Sequence, residues 1–223
     1  MPLRLKLALS YLLIGLIPVL AMAFVVYQQA SEALRVQTLN ALEAVANIKQ
    51  QQLLDNWQER HNQISTLASN LSNSYDGLDT NALLSSSNYD RPIFENFIAT
   101  FGYRELKLVL PDGTVMFSLR RGDDYQNNLG SPALRNTPLA RLVKQSAEQR
   151  QILISDLLYN QLSKAPTQYL AAPIGSDDEL QMTLVLELPI APLNAVMQTR
   201  QGLGEQGETY LVGSDSRLRS DSV

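Results

Sequence analysis

The chain has 223 residues, 45% hydrophobic and 18% charged, with a formal net charge of −4. That length and balance fit one ordinary folded domain with extensions, and the mild acidity gives no electrostatic footprint for a nucleic-acid partner. Cysteine is absent, which excludes disulfides and thiolate metal sites, and the chain carries one histidine, His61, and one tryptophan, Trp57.

Residues 7–27, "LALSYLLIGLIPVLAMAFVVY", contain no charged side chain, and about 20 apolar residues suffice for a helix to cross a bilayer. Arg4 and Lys6 precede this run, and no further basic residue occurs before Arg35. The positive-inside rule therefore puts residues 1–6 in the cytoplasm and the bulk of the chain outside it. A cleaved signal peptide is the competing reading, because Ala21-Met22-Ala23 resembles an A-x-A cleavage site. The apolar run continues past that site to Tyr27, at the outer interface, and the expectation is an uncleaved transmembrane helix over 7–27. Pro18 is tolerated in such a helix.

Residues 28–73 hold neither glycine nor proline. Leu39, Leu42, Ala46, Leu53, Trp57, Ile64, Leu67 and Leu71 recur at helical spacing. At about 1.5 Å per residue this stalk helix would reach roughly 65–70 Å. Its membrane-proximal part is expected to pair with a second copy, giving a homodimer, and its distal part to pack on a sheet. One amphipathic helix with a frayed start fits the pattern as well. His61 reads as a solvated helix residue and Trp57 as core.

From 72 to 90 the composition turns to serine, asparagine and aspartate, which reads as a loop broken by a short helix at Ala82 to Leu84. "RPIFENFIATFG" reads as a helix with Pro92 in its first turn and Gly102 ending it. Period-two patterning then begins. "YRELKLVLPDGTVMFSLR" is a hairpin turning at Pro111-Asp112-Gly113. A polar loop, "RRGDDYQNNLGSP", leads to "PALRNTPLARLVKQSAEQ", a helix or two short ones, interrupted at Pro138. "QILISDLLY" reads as one strand, and residues 167–190 as a second hairpin with a polar tip at Gly175 to Glu179. "APLNAVMQTR" is a helix, and "ETYLVGSDSRLRSDS" opens a further hairpin. The fold class is α+β: one antiparallel sheet of about five strands with helices packed on it, in the order of a PAS-like sensor module.

Gly202, Gly204 and Gly207 spell GxGxxG, the pattern of dinucleotide-binding turns. That chemistry needs a strand before the glycines and a helix opening at the third. Here a helical segment precedes and a strand follows, so the glycines read as a helix end and a tight reversal. No catalytic constellation is found, and the acidic residues near Asp123 and Asp177 lie in turn-like segments where solvated charge is the usual reason. The chain reads as a binding module, not an enzyme, with no cofactor and no metal site.

"GLGEQGETYLVGSDSRLRSDS", residues 202–222, resembles the opening of the membrane-proximal half of a double Cache domain in bacterial methyl-accepting chemotaxis receptors, where GLGETGETYLVGxDxxMRSDSR is approximately the pattern. "DDYQNNLGSP" resembles that family's DYGTNL segment, "ISDLLYNQLSKAPTQYLAAPI" its SDFxxYxPSxxxPAAFIAAPI segment, and "LVLELPIAPLNAVM" its LALQLPIDKINxIM segment. Two stretches depart from it: Gly130-Ser131-Pro132, and Gln168-Tyr169 where the family has small residues or phenylalanine. The resemblance implies a membrane-distal PAS-like module over 74–200 and the start of a membrane-proximal module over 201–223. On this reading the chain is expected to be a truncated receptor without its second membrane span and output domain, and the tail beyond Gln201 to be poorly ordered or to need a partner.

The resemblance also implies a function. The chain would be the periplasmic ligand-sensing region of a chemoreceptor in the bacterial inner membrane. Its partner would be a small molecule of the amino-acid, organic-acid or amine class. Asp124, Tyr125, Asn128, Asp156 and Tyr159 fall in the recurring segments around the ligand face. Tyr103 and Arg121 flank the first hairpin, and a guanidinium suits a carboxylate. The competing reading is that these side chains fix loop structure. A histidine kinase or nucleotide cyclase output, or a tethered binding protein that never signals, are the alternative contexts.

Overall fold

A computed structural model describes residues 3–160, 165–176, 179–200, 202–203 and 207–221. In chain order the elements are α1 (Leu3–Tyr75), α2 (Thr80–Tyr89), α3 (Arg91–Phe101), β1 (Glu105–Val109), β2 (Val115–Ser118), α4 (Pro138–Gln149), β3 (Leu153–Ile154), β4 (Leu158–Asn160), β5 (Ala165–Gly175), β6 (Leu180–Leu188) and α5 (Ala191–Gln198). They group into two compact units: Met1–Gln50 with Arg200–Gly207, and Gln51–Thr199 with Glu208–Val223.

In the first unit α1 exposes its apolar side chains, among them Leu12, Ile17, Phe24 and Val26. Among the described residues it is the one helix long and apolar enough to cross a membrane. Further along, Leu39 and Leu42 are also exposed, at 55% and 46%, whereas Val45 is buried. Two of the motif glycines belong here; Gly204 lies outside the described residues. Gly202 has φ +84°, and a β-carbon on it would come within 2.9 Å of Val45 Cγ2. A β-carbon on Gly207 would come within 2.3 Å of the Leu203 carbonyl oxygen. At both positions the absence of a side chain permits a close approach, to Val45 at one and to the Leu203 carbonyl at the other. Helix α5 precedes them and residues 208–211 after them are not helical, so the strand-to-helix order that holds a pyrophosphate is not formed here.

The second unit is built on an antiparallel sheet in the order β2-β1-β6-β5-β3, with β4 paired to β5. Its centre is the β5–β6 hairpin, paired from Gln168↔Leu188 to Gly175↔Leu180. Gly175 turns the tip at φ +137°, where a β-carbon would strike the Glu179 carbonyl oxygen. Helix cover on both sides leaves all five residues of β1 and all four of β2 buried. One face carries Leu106, Leu108, Phe117, Leu170, Met182 and Leu184 against Ile64, Leu67, Leu71 and Tyr75 of α1, Leu83 of α2, and Phe94 and Ile98 of α3. Phe94 and Phe117 meet edge to face with centroids 5.3 Å apart, a favoured aromatic geometry. The other face carries Val109, Val115, Tyr169, Ala171 and Val185 against Leu139, Leu142 and Val143 of α4.

Several local expectations need correction. The stretch 72–90 is mostly helical: α1 runs on to Tyr75, and α2 has ten residues rather than one short turn. Asp79 caps α2 by accepting from the Ala82 N–H at 2.8 Å, and its serine and asparagine side chains donate back to carbonyls four residues earlier, as Ser87 does to Leu83. Local back-bonding of this kind is what makes such residues look like loop in a sequence. Pro138 does not interrupt a helix but begins α4, where its missing N–H costs nothing, with Thr137 as the cap. The expected strand at 151–159 is two short strands with residues 155–157 between them. His61 is half-buried, edge-on to Trp57 at 5.7 Å between centroids.

Candidate functional site

The α4 side of the sheet is where charge enters the interior. Alternate residues of β1 and its partners bring Glu105, Lys107, Ser118 and Glu187 onto this face, through the pairs Glu105↔Glu187 and Lys107↔Ser118. Above them passes the loop of residues 119–137. Asp124 reaches down from it to Lys107, with Nζ 2.5 Å and 2.6 Å from the two carboxylate oxygens and both side chains 7% exposed. Glu105 is satisfied by the backbone N–H groups of Leu106, Leu119 and Arg120 and by the Ser118 hydroxyl. Glu187 faces Arg104 at 3.6 Å. Burial pushes the Glu187 carboxyl above the usual 4.5, against the pull of Arg104 and Lys107.

The structure distributes the seven residues singled out in the sequence. Arg121, Asp124, Tyr125 and Asn128 share the loop over the α4 face. Arg121 sits in the left-handed region at φ +51°, costly for a residue with a β-carbon, and its guanidinium lies 5.6 Å from the Tyr125 ring centroid. Asn128 ties the loop to the β1–β2 turn, donating to the Asp112 carbonyl at 2.8 Å and accepting from the Gly130 N–H at 2.7 Å. Tyr103 is on the opposite side, in the α1/α3 core. Its hydroxyl donates to Gln63 at 2.7 Å, and burial raises its phenol pKa. Asp156, between β3 and β4, accepts from Arg219 Nε at 2.8 Å and Nη2 at 2.6 Å. Those hydrogen bonds hold its carboxyl below the usual range. Tyr159 is 63% exposed on β4.

A cavity of about 600 Å³ opens beside the loop, between the β1–β2 turn and α4, lined by Asp112, Gly130, Arg135, Lys144 and Thr183 among others. Its size suits a small ligand, and its wall carries Arg135 and Lys144 together with Asp112 and Glu148, the last 3.8 Å from Lys144. Among the described residues no group of three or more His, Cys, Asp or Glu is placed to hold a metal. Sequence reasoning missed Lys107, Glu187 and Arg219. Lys107 had one available signal, a lone cation within a strand whose neighbours are all apolar or acidic.

No family model and no curated protein matches the sequence. Solved structures do match. The ligand-binding domain of the Campylobacter jejuni chemoreceptor Tlp3 in complex with 4-methylisoleucine aligns over 82% of this chain and 69% of its own, at 12% identity and TM-score 0.64. That of the Pseudomonas fluorescens chemoreceptor CtaA in complex with L-isoleucine covers 85% and 71%, at 13% identity and TM-score 0.59. That of the Pseudomonas aeruginosa amino-acid chemoreceptor PctC in complex with GABA covers 82% and 75%, at 12% identity and TM-score 0.58. The chain therefore has the fold of chemoreceptor ligand-binding domains.

Two outcomes follow from the buried charges. Lys107→Met strands the Asp124 carboxylate and should cost about 3–5 kcal/mol of stability, whereas Lys107→Met combined with Asp124→Leu should cost far less, because no charge is left buried. Denaturant titration of the two variants measures the difference. Glu187 has its folded-state pKa raised, so the folded state holds its proton more tightly and stability falls as pH rises above 4.5. Glu187→Gln should therefore raise the thermal midpoint at pH 7 and leave it nearly unchanged below pH 4.5, as thermal melts at the two pH values would show.

Proposed function

We propose that this chain is the extracytoplasmic sensing region of a bacterial methyl-accepting chemotaxis receptor, held in the inner membrane by residues 7–27 with residues 1–6 in the cytoplasm. The observation that carries this reading is the shared fold, over more than four fifths of the chain, with three chemoreceptor ligand-binding domains. The apolar first part of α1 supports the anchor. In this reading residues 74–200 form the membrane-distal sensor module and residues 201–223 begin the membrane-proximal one.

The ligand is a small molecule of the amino-acid, organic-acid or amine class, and the complexes of the three similar domains with 4-methylisoleucine, isoleucine and GABA favour the first. It binds on the α4 face, under or beside the 119–137 loop. Arg121, held in a strained conformation over Tyr125, would face its carboxylate, and Asp124 and Asn128 would shape the loop around it. Asp156 and Tyr159 complete the proposed set by resemblance and Tyr103 by its place beside the first hairpin; the present partners of Tyr103 and Asp156 favour a packing role for those two. Binding biases the protein between two packings of a dimer. A histidine kinase or cyclase output would use the same input region.

A thermal-shift screen of the full chain in detergent against amino acids, organic acids and amines tests the ligand, because a molecule that binds only the native state raises the midpoint by mass action. Arg121→Ala and Tyr125→Ala should each weaken the hit by about tenfold; unchanged affinity in both would sink the assignment. The dimer is tested through the absence of native cysteine. Leu42→Cys should form disulfide-linked dimers in membranes much faster than Ala44→Cys, on the opposite side of α1, and equal rates would argue against pairing through that stripe.

A further inference from the structure

A second cavity lies away from the α4 face, within the same compact unit. It has a volume of about 330 Å³ and is walled by Leu53 and Trp57 of α1, Leu188 at the end of β6, Leu193 and Val196 of α5, and Leu211. Nine of its twelve lining residues are apolar, and Arg60 is the only charged side chain among them. Arg60 is not a loose surface cation. Its Nη1 donates to the Phe101 carbonyl at 2.6 Å, and its guanidinium lies 4.7 Å from the centroid of the Tyr103 ring. Two contacts thus fix the plane of the charge at the cavity wall. Leu211 is fixed as well: its N–H donates to the Ser220 hydroxyl and its carbonyl accepts from the Arg219 N–H. Arg219 in turn grips Asp156 with two nitrogens.

We propose that this cleft is a separate binding site for a small carboxylate with an apolar body, the body lying against Trp57, Leu193 and Val196 and the carboxylate facing Arg60. The chemistry follows from the wall. Apolar area favours a hydrocarbon body, a single oriented guanidinium favours an anionic head, and a volume near the lower end of ligand pockets sets a small size. An amine of the same shape would meet Arg60 with like charge. The occupant touches α1, α5 and the segment around Leu211 together, so its binding would stabilise their mutual packing. The proposal stands apart from the α4-face ligand and does not depend on it.

Trp57 is the sole tryptophan in the chain, so its emission reports on this cleft directly. Hexanoate titrated into the full chain in dodecyl maltoside micelles should change Trp57 emission saturably, with hexylamine and hexanol at least about tenfold weaker. Arg60→Gln should lose about tenfold in hexanoate affinity, and Arg60→Lys should recover part of it. Because Arg60 also bonds to Phe101, Val196→Phe provides a second variant that fills the cleft and leaves Arg60 in place; it should abolish the response, with far-UV circular dichroism unchanged. Arg121→Ala should leave the response intact. The proposal is overturned if hexanoate leaves emission unchanged, as it would were a second copy of the chain seated in the cleft. It is equally overturned if hexylamine matches hexanoate, if folded Arg60→Gln binds as tightly as the parent, or if the response survives Val196→Phe and is lost in Arg121→Ala.

Discussion

A charge that enters a protein interior must meet its opposite at hydrogen-bond distance, and on the α4 face Lys107 meets Asp124. The sheet leaves no water-facing side on which Lys107 could be solvated, because helices cover both of its faces. The lysine therefore draws down one residue of the 119–137 loop and fixes where that loop crosses the strands. The course of the neighbouring residues follows from that anchor: Arg121 is turned into a left-handed conformation, Tyr125 lies beneath its guanidinium, and Asn128 locks the far end onto the β1–β2 turn. The pair adds little net stability by itself, since desolvation cancels much of the Coulomb attraction. Its contribution is positional, and the shape of the space between loop, hairpin turn and α4 depends on it.

Much of the fold was legible because it is punctuated by residues with hard backbone constraints. Pro92 and Gly102 bracket α3, Pro111 to Gly113 turns the first hairpin, and Gly175 turns the second. Of helix α2 only the turn at Ala82 to Leu84 was legible, since its serines and asparagines are the residues that favour loops until their side chains are seen bonded to the preceding turn. Of the candidate site, the loop segment containing Asp124 and Asn128 could be found by resemblance, but its chemistry could not. Alternation along "ELKLV" would put Glu105 and Lys107 in water, and only the second layer of helix reverses that. Asp156 illustrates a related limit. A carboxylate in a recurring segment looks available to a ligand, while in the folded chain it is engaged by Arg219, sixty-three residues away.

That pairing also bears on how the chain after the glycines is held. Arg219 reaches Asp156 and Asp215, Thr209 donates to the Met197 carbonyl, and Asn194 and Asp221 exchange hydrogen bonds. Residues 209–221 are therefore tied to α5 and to the β3–β4 connection. The Trp57 cleft lies where these elements meet α1, so the two cavities differ in what they could influence: one is bounded by a loop and a hairpin turn, the other by the helices and the segment that leads onward.

Burial of the sheet on both faces has an evolutionary corollary. Every residue of β1, and most of β6 and central β5, points into one packed layer or the other, so neither face of the sheet is free to vary and drift is slow in volume and polarity. The loop over the α4 face and the outer turns of α4 carry no such double constraint. A chain of this fold can therefore accept many substitutions in those segments while the strands keep only their size and hydropathy. Divergence to 12–13% identity with the architecture still superimposable is the sequence record that such a division of labour would leave.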